Sequence, residues 1–229
     1  MGEVMGIKAF IFDFDGLILD TETPNFEAWQ SIFAKFGLEL PMSEWQKGLG
    51  TCPGAFDPPT YLEELVGHPI NKKNVDHDQK VITLSKILQL PALPGVEELL
   101  ILAKTNGIKM AVASSSTTDW VWCNLSRLGL LKYFDTICCG DEVAAVKPDP
   151  ALFQLAIAEL GVQPNESIVF EDSPNGILAA NNAGVFCVAI PNNITGQLSL
   201  EHANLILNSL EDITLEELLA APENARLQR

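Results

Sequence analysis

From Leu93 onward short apolar runs alternate with helix-length amphipathic segments. The runs cover 109–113, 136–139, 168–170, 186–190 and 205–207, and Phe10-Ile11-Phe12 forms another near the N-terminus. Strands that alternate with helices build a parallel sheet covered on both faces, so the pattern predicts an α/β fold with a doubly wound parallel sheet. Pro94-Gly95, Thr117-Thr118-Asp119, Asp149-Pro150 and Ser173-Pro174 read as helix starts. A polar cap or a proline in the first turn suits amides that lack an intrahelical acceptor. In such a sheet the ligand crevice lies at the carboxyl ends of the strands, where Asp13, Ser114 and Asp172 fall.

Between 24 and 90 the period changes. Phe26, Trp29, Ile32, Phe33 and Phe36 recur at helical spacing, and Val81, Leu84, Ile87 and Leu88 do so again. No strand pattern occurs there. A helical insertion is expected, entered through Thr21-Glu22-Thr23-Pro24 and left through Leu90-Pro91-Ala92-Leu93-Pro94-Gly95. The chain then divides into a core of 1–22 with 92–229 and a helical domain of 23–91, whose two joints suit a hinged lid. Trp29 lies in a periodic stripe and is assigned to packing rather than to a ligand. Residues 221–229 are expected as a loose tail.

The 229 residues and a hydrophobic content of 47% are enough for a substantial core. Thirty acidic residues against 14 basic ones give a net charge of −16, a field that repels nucleic acid and anionic membranes. Neither is expected as a partner. No N-terminal stretch has the character of a signal peptide and no apolar run approaches a bilayer span, so a cytoplasmic protein is expected. A monomer or weak dimer is the separate expectation for its assembly. Cys52, Cys123, Cys138, Cys139 and Cys187 include no Cys-x-x-Cys pair, and the last three are expected as buried, reduced thiols. His68, His77 and His202 lack zinc-ligand spacing.

Asp13-Phe14-Asp15-Gly16 directly follows the first apolar run. Two carboxylates two residues apart at a strand end repel each other and are costly to desolvate, which a divalent cation or a phosphoryl group would offset. Gly16 lets the backbone turn sharply and come close to a ligand. An isolated Asp-x-Asp is usually two solvated acids in a turn, and other segments decide the matter here. Ser114-Ser115-Ser116 ends one strand and leads into a helix start, so hydroxyls and free amides form a candidate phosphate cradle. Lys147-Pro148 offers a fixed positive charge, and Glu171-Asp172-Ser173 brings two more carboxylates to the strand ends. Four acidic side chains near one point suit the hard, oxygen-preferring Mg²⁺.

The ordered set Asp13-x-Asp15-Gly16, Ser114, Lys147-Pro148 and Glu171-Asp172-Ser173-x-x-Gly176 resembles the four motifs of haloacid-dehalogenase-like (HAD) hydrolases, and the resemblance covers nearly the whole chain. Within that superfamily the sequence is similar to the beta-phosphoglucomutase and phosphoglycolate phosphatase branch, which has a helical cap between the first two motifs. The resemblance implies a Rossmann-like core with an inserted cap, a small phosphorylated metabolite as substrate and an aspartyl-phosphate mechanism. It makes Asp13 the nucleophile and Asp15 the general acid and base. It gives Mg²⁺ to the Asp13 carboxylate, the Asp15 backbone carbonyl and Asp172, with Glu171 in or next to the coordination shell. Ser114 and Lys147 would hold the transferring phosphoryl oxygens, with Gly16, Ser115 and Ser116 in the same phosphate site. Thr21 resembles the hinge residue that positions the second aspartate.

The sugar-phosphate mutase of that branch holds its second phosphate with a histidine and an arginine. Asn25 and the Cys52-Pro53-Gly54 stretch after Gly48-Leu49-Gly50-Thr51 stand there instead, and neither supplies a cation. A chain of net charge −16 without such a cation is poorly suited to retain a bisphosphate, which favours a phosphatase over a phosphomutase, although Lys47, Lys72, Lys73 and Lys80 offer other positive charges. Dehalogenation has no need of the acid/base function of Asp15. Outside this enzyme class, a receiver domain shares the clustered aspartates but is shorter and needs no cap. A catalytically silent phosphate-binding protein would be expected to have lost a motif residue, and none is lost.

Overall fold

The computed structural model describes residues 6–48 and 56–227. The stretch from Leu49 through Cys52, Pro53 and Gly54 therefore lies outside the described residues. The strands are β1 (Ala9–Phe12), β2 (Lys109–Ser114), β3 (Thr136–Cys139), β4 (Ser167–Glu171), β5 (Phe186–Ala189) and β6 (Leu205–Ile206). The helices are α1 (Glu22–Lys35), α2 (Met42–Trp45), α3 (Pro58–Val66), α4 (Lys72–Ile87), α5 (Val96–Thr105), α6 (Thr118–Leu128), α7 (Ala151–Leu160), α8 (Pro174–Asn182) and α9 (Leu215–Leu227). Every strand pairing is parallel, in the order β3-β2-β1-β4-β5-β6. This is the doubly wound α/β sheet expected from the alternation of runs, and the order reverses between β1 and β4, where such sheets place their ligands.

Alternation along β1 sorts its side chains onto two faces. Ala9 and Ile11 join a buried cluster with Ala111, Val169, Leu152, Phe153 and Ile177, so small strand residues leave room for α7 and α8. Phe10 and Phe12 share an aromatic layer with Phe170: Phe12 stacks on it at 4.7 Å between centroids, and Phe10 meets it edge-on at 5.2 Å. The register sets Phe12 opposite both Val112 and Phe170. One residue further, the Asp13 N–H donates to the Phe170 carbonyl at 2.9 Å, and the Ile190 N–H donates to the Glu171 carbonyl at 2.7 Å. The ends of β1, β4 and β5 are thereby held level by backbone bonds.

The chain separates into one unit of Met1–Leu19 with Pro91–Arg229 and another of Asp20–Leu90. The breaks fall at Asp20 and Leu90 rather than at 23 and 91, because Asp20 accepts the Thr23 N–H at 3.0 Å and so belongs to the start of α1. Among its described residues the second unit is helical. Phe26, Trp45, Phe56, Tyr61 and Phe33 form its aromatic core. The line of α4 that is buried runs through Val75, Gln79 and Ile87, whereas Val81, Leu84 and Leu88 are exposed. Helical spacing identified the helix but not the face, since Gln79 is buried through its bonds to Asn25 Oδ1 (2.6 Å) and Thr83 Oγ1 (2.9 Å).

The expected loose tail is corrected: 221–227 complete α9. Thr214 and Glu217 cap its start reciprocally, with the Thr214 N–H reaching Glu217 Oε2 (2.9 Å) and the Glu217 N–H reaching Thr214 Oγ1 (3.2 Å). Leu218 anchors it in the core. No described helix is long and apolar enough to cross a membrane.

Phe170→Ala should destabilise the sheet unit by about 3–5 kcal/mol in urea unfolding, the cost of a large cavity in a packed layer. Leu84→Ala, on the exposed face of α4, should stay within about 0.5 kcal/mol.

Candidate active site

Asp13 leaves the end of β1 with its side chain almost wholly buried. The Lys147 ammonium makes an ion pair with Asp13 Oδ1 and another with Glu171 Oε1 at 2.7 Å. Lys147 arrives from the loop before α7 across a cis peptide to Pro148, and its ammonium lies 4.8 Å from the centroid of the Phe153 ring. Burial pushes the Asp13 carboxyl up to about 8 against the pull of Lys147, and the neighbouring Glu171 charge adds to the rise. Burial also works against the Lys147 charge, but Asp13 and Glu171 outweigh it and hold the ammonium above the usual lysine range. Lys147 is the fixed positive charge of the site, shared between the Asp13 and Glu171 carboxylates.

Glu171, at the end of β4, is fully satisfied by protein donors. Its Oε2 accepts the N–H groups of Asp172 (3.0 Å) and Ser173 (3.1 Å) and the Ser173 hydroxyl (3.0 Å), while Oε1 accepts from Lys147. The carboxylate packs against the first turn of α8 so closely that a Cβ at position 176 would overlap it, which explains Gly176. Asp172 is oriented from the loop after β5, where Asn192 Nδ2 donates to Asp172 Oδ2 at 2.8 Å and to the Gly16 carbonyl at 3.2 Å. Gly16 turns with φ 85°, and a side chain there would overlap Asp172 Oδ2 and meet Asn192 Nδ2 at 2.8 Å.

Carboxylate oxygens of Asp13, Glu171 and Asp172 lie within 4.8 Å of one another and could hold a metal ion. One ammonium against three buried carboxylates leaves an excess of negative charge, and the donor set is all oxygen. The expectation that four carboxylates gather is corrected to three. The Asp15 carboxylate turns instead to Ser116 Oγ (2.6 Å) and Trp120 Nε1 (2.9 Å).

Ser114 is buried at the end of β2, and its Oγ accepts the Ser116 N–H at 3.0 Å. Ser115 is exposed beside it. The cradle of free amides is corrected in part: the Ser116 amide is taken by Ser114, and the Thr118 N–H and hydroxyl both donate to Asp141 Oδ1, at 3.0 and 2.8 Å. Asp141 thus caps α6, and no side-chain bond comes from Thr117. Thr21 belongs to the helical unit, and its buried hydroxyl has no hydrogen-bond partner among the described residues.

Asn192 and Trp120 escaped the sequence reading. Asn192 follows the run 186–190, so the rule that strand ends carry function pointed to its neighbourhood. Trp120 gave no signal, since an aromatic in a first helical turn is ordinarily packing.

The profile of the haloacid dehalogenase-like hydrolases matches residues 10–190. YhcW of Bacillus subtilis is 45% identical over 93% of this chain and 96% of its own. The phosphorylated carbohydrates phosphatase of Thermotoga maritima is 35% identical over 78% of this chain and 82% of its own. Among solved structures, beta-phosphoglucomutase from Clostridium difficile is 29% identical and superposes with a TM-score of 0.69 over 97% of this chain and all of its own. The matched span runs from β1 past the end of β5 and includes Asp13, Ser114, Lys147, Glu171 and Asp172, and on that ground the chain belongs to the haloacid dehalogenase-like hydrolase family.

Proposed function

We propose that this hydrolase is a Mg²⁺-dependent phosphatase that cleaves a small phosphorylated metabolite through a phosphoaspartate at Asp13. The observation that carries the reading is the buried Lys147 ammonium flanked by Asp13 and Glu171, with Asp172 beside them at the switch point of the sheet. An Asp13 oxygen attacks phosphorus in line as the ester P–O bond breaks, and Asp15 gives its proton to the departing oxygen. Asp15 then takes a proton from the water that attacks the phosphoaspartate, which releases inorganic phosphate and restores the Asp13 carboxylate. Lys147 and the Ser114 hydroxyl stabilise charge on the phosphoryl oxygens from fixed positions. Glu171, with both oxygens engaged, serves chiefly to hold Lys147.

The oxygen donors and excess negative charge fit Mg²⁺, which Asp13, Asp172 and the Asp15 backbone carbonyl would hold. Bound there, it supplies positive charge that offsets the repulsion between an anionic nucleophile and an anionic phosphate.

Hydrolysis is favoured over mutase chemistry by the helical unit, which we take to be a cap. Asn25 is neutral and tied to Gln79 at 2.6 Å, and Lys47 and Lys72 are already paired with Glu44 (2.6 Å) and Glu63 (2.9 Å). A bisphosphate intermediate would need cations that these residues do not offer. The Thermotoga relative's name supports phosphorylated carbohydrates as the substrate class.

Asp13→Asn should fold and lose essentially all phosphate release, and Asp15→Asn should slow it about 10²–10⁴-fold. Appreciable turnover by a deamidation-free Asp13→Asn protein would remove Asp13 from its role. Chelated protein should be inactive and should gain about 2.7 kcal/mol of stability from Mg²⁺ at 100 times its Kd. Asp172→Ala should abolish that gain in thermal melts, and Asn192→Ala should weaken Mg²⁺ about 10–100-fold. In a coupled assay with glucose 1-phosphates and their bisphosphates, phosphate release should outpace isomerisation; the reverse would make the protein a mutase.

A further inference from the structure

On the phosphatase reading Asp15 moves both protons of the reaction, and its carboxylate is gripped by one stretch of chain. Ser116 Oγ donates to Oδ2 and Trp120 Nε1 donates to Oδ1. Ser116 lies just before α6 and Trp120 in its first turn. That stretch is itself locked in place. The Gly140 N–H reaches the Ser116 carbonyl at 2.8 Å, Asp141 caps Thr118, and Asn124 Nδ2 donates to the Trp120 carbonyl at 3.0 Å.

Two donors on different oxygens fix the rotation of a carboxylate as well as its position, which one donor cannot do. The two donors differ in kind. A serine hydroxyl rotates and both gives and accepts hydrogen bonds, whereas an indole is rigid, has only two side-chain torsions and can only donate. The indole can therefore hold Asp15 through turnover without competing for its proton.

We propose that Trp120 is a positioning residue for proton transfer, whose indole N–H sets the orientation from which Asp15 protonates the departing oxygen. This rests on the phosphatase reading and requires no contact between Trp120 and the phosphoryl group. Its consequence is selective. A weakly basic leaving group departs without help, and a strongly basic one needs a well-placed acid.

The test is kcat/KM, which reports formation of the phosphoaspartate, across substituted phenyl phosphates from 4-nitrophenyl phosphate to phenyl phosphate in the presence of Mg²⁺. Wild type is compared with Trp120→Phe and with protein in which Trp120 is replaced site-specifically by 3-benzothienylalanine, which keeps the indole shape and puts sulfur in place of the N–H. Both variants should lose about 10-fold or more on phenyl phosphate and less than about 3-fold on 4-nitrophenyl phosphate, with a steeper dependence on leaving-group basicity. The benzothienyl protein keeps the test valid if the phenylalanine variant packs poorly. A uniform loss, or a slope equal to wild type, with the wild type active overturns the role of Trp120 alone. Wild-type protein inactive on the whole series overturns the phosphatase reading and this inference together.

Discussion

A buried ammonium organises this molecule. Lys147 is 5% exposed, and a lysine charge in such a place is sustained only by close anionic partners. Asp13 and Glu171 supply them from two neighbouring strands, and Glu171 is in turn immobilised by the amides of Asp172 and Ser173. The same partners make the site reactive. Three carboxylates converge on one cation, and burial, with the Glu171 charge beside it, raises the Asp13 carboxyl against the pull of Lys147.

The sheet exists in the form that this cluster needs. Asp13 and Glu171 meet because β1 and β4 are paired with Phe12 opposite Phe170, and the stacking of those two rings adds side-chain specificity to the backbone register. A slip by one residue would reverse the faces and carry the carboxylates away from each other. Gly16 and Gly176 serve the same end, since each lies where a side chain would displace a site carboxylate.

The helical unit follows a different logic. Its aromatic cluster accounts for its cohesion, and the exposed α1–α4 ion pairs, Lys35 with Asp78 and Lys86 with Glu27, add little. Its one buried polar side chain among the described residues of α4, Gln79, is neutral and bonds the partly buried Asn25 and Thr83.

The sequence by itself determined the sheet, the helical insertion and the residue types that gather at the strand ends. Alternating apolar runs and capped helix starts report local physics, and the carboxylates and lysine announce their chemistry wherever they stand. Tertiary structure alone decided which groups touch. Asp15 carries the same carboxylate as Asp13, yet it turns to Trp120 and Ser116, a choice made by residues about a hundred positions away. Asn192 reaches Asp172 only because β5 pairs beside β4, and Asp141 rather than Thr117 caps α6. The buried face of α4 was set by Gln79 against Asn25 and not by Val81, Leu84 and Leu88. Local pattern records what a segment prefers, whereas hydrogen-bond partners depend on distances between segments that only the packed chain defines.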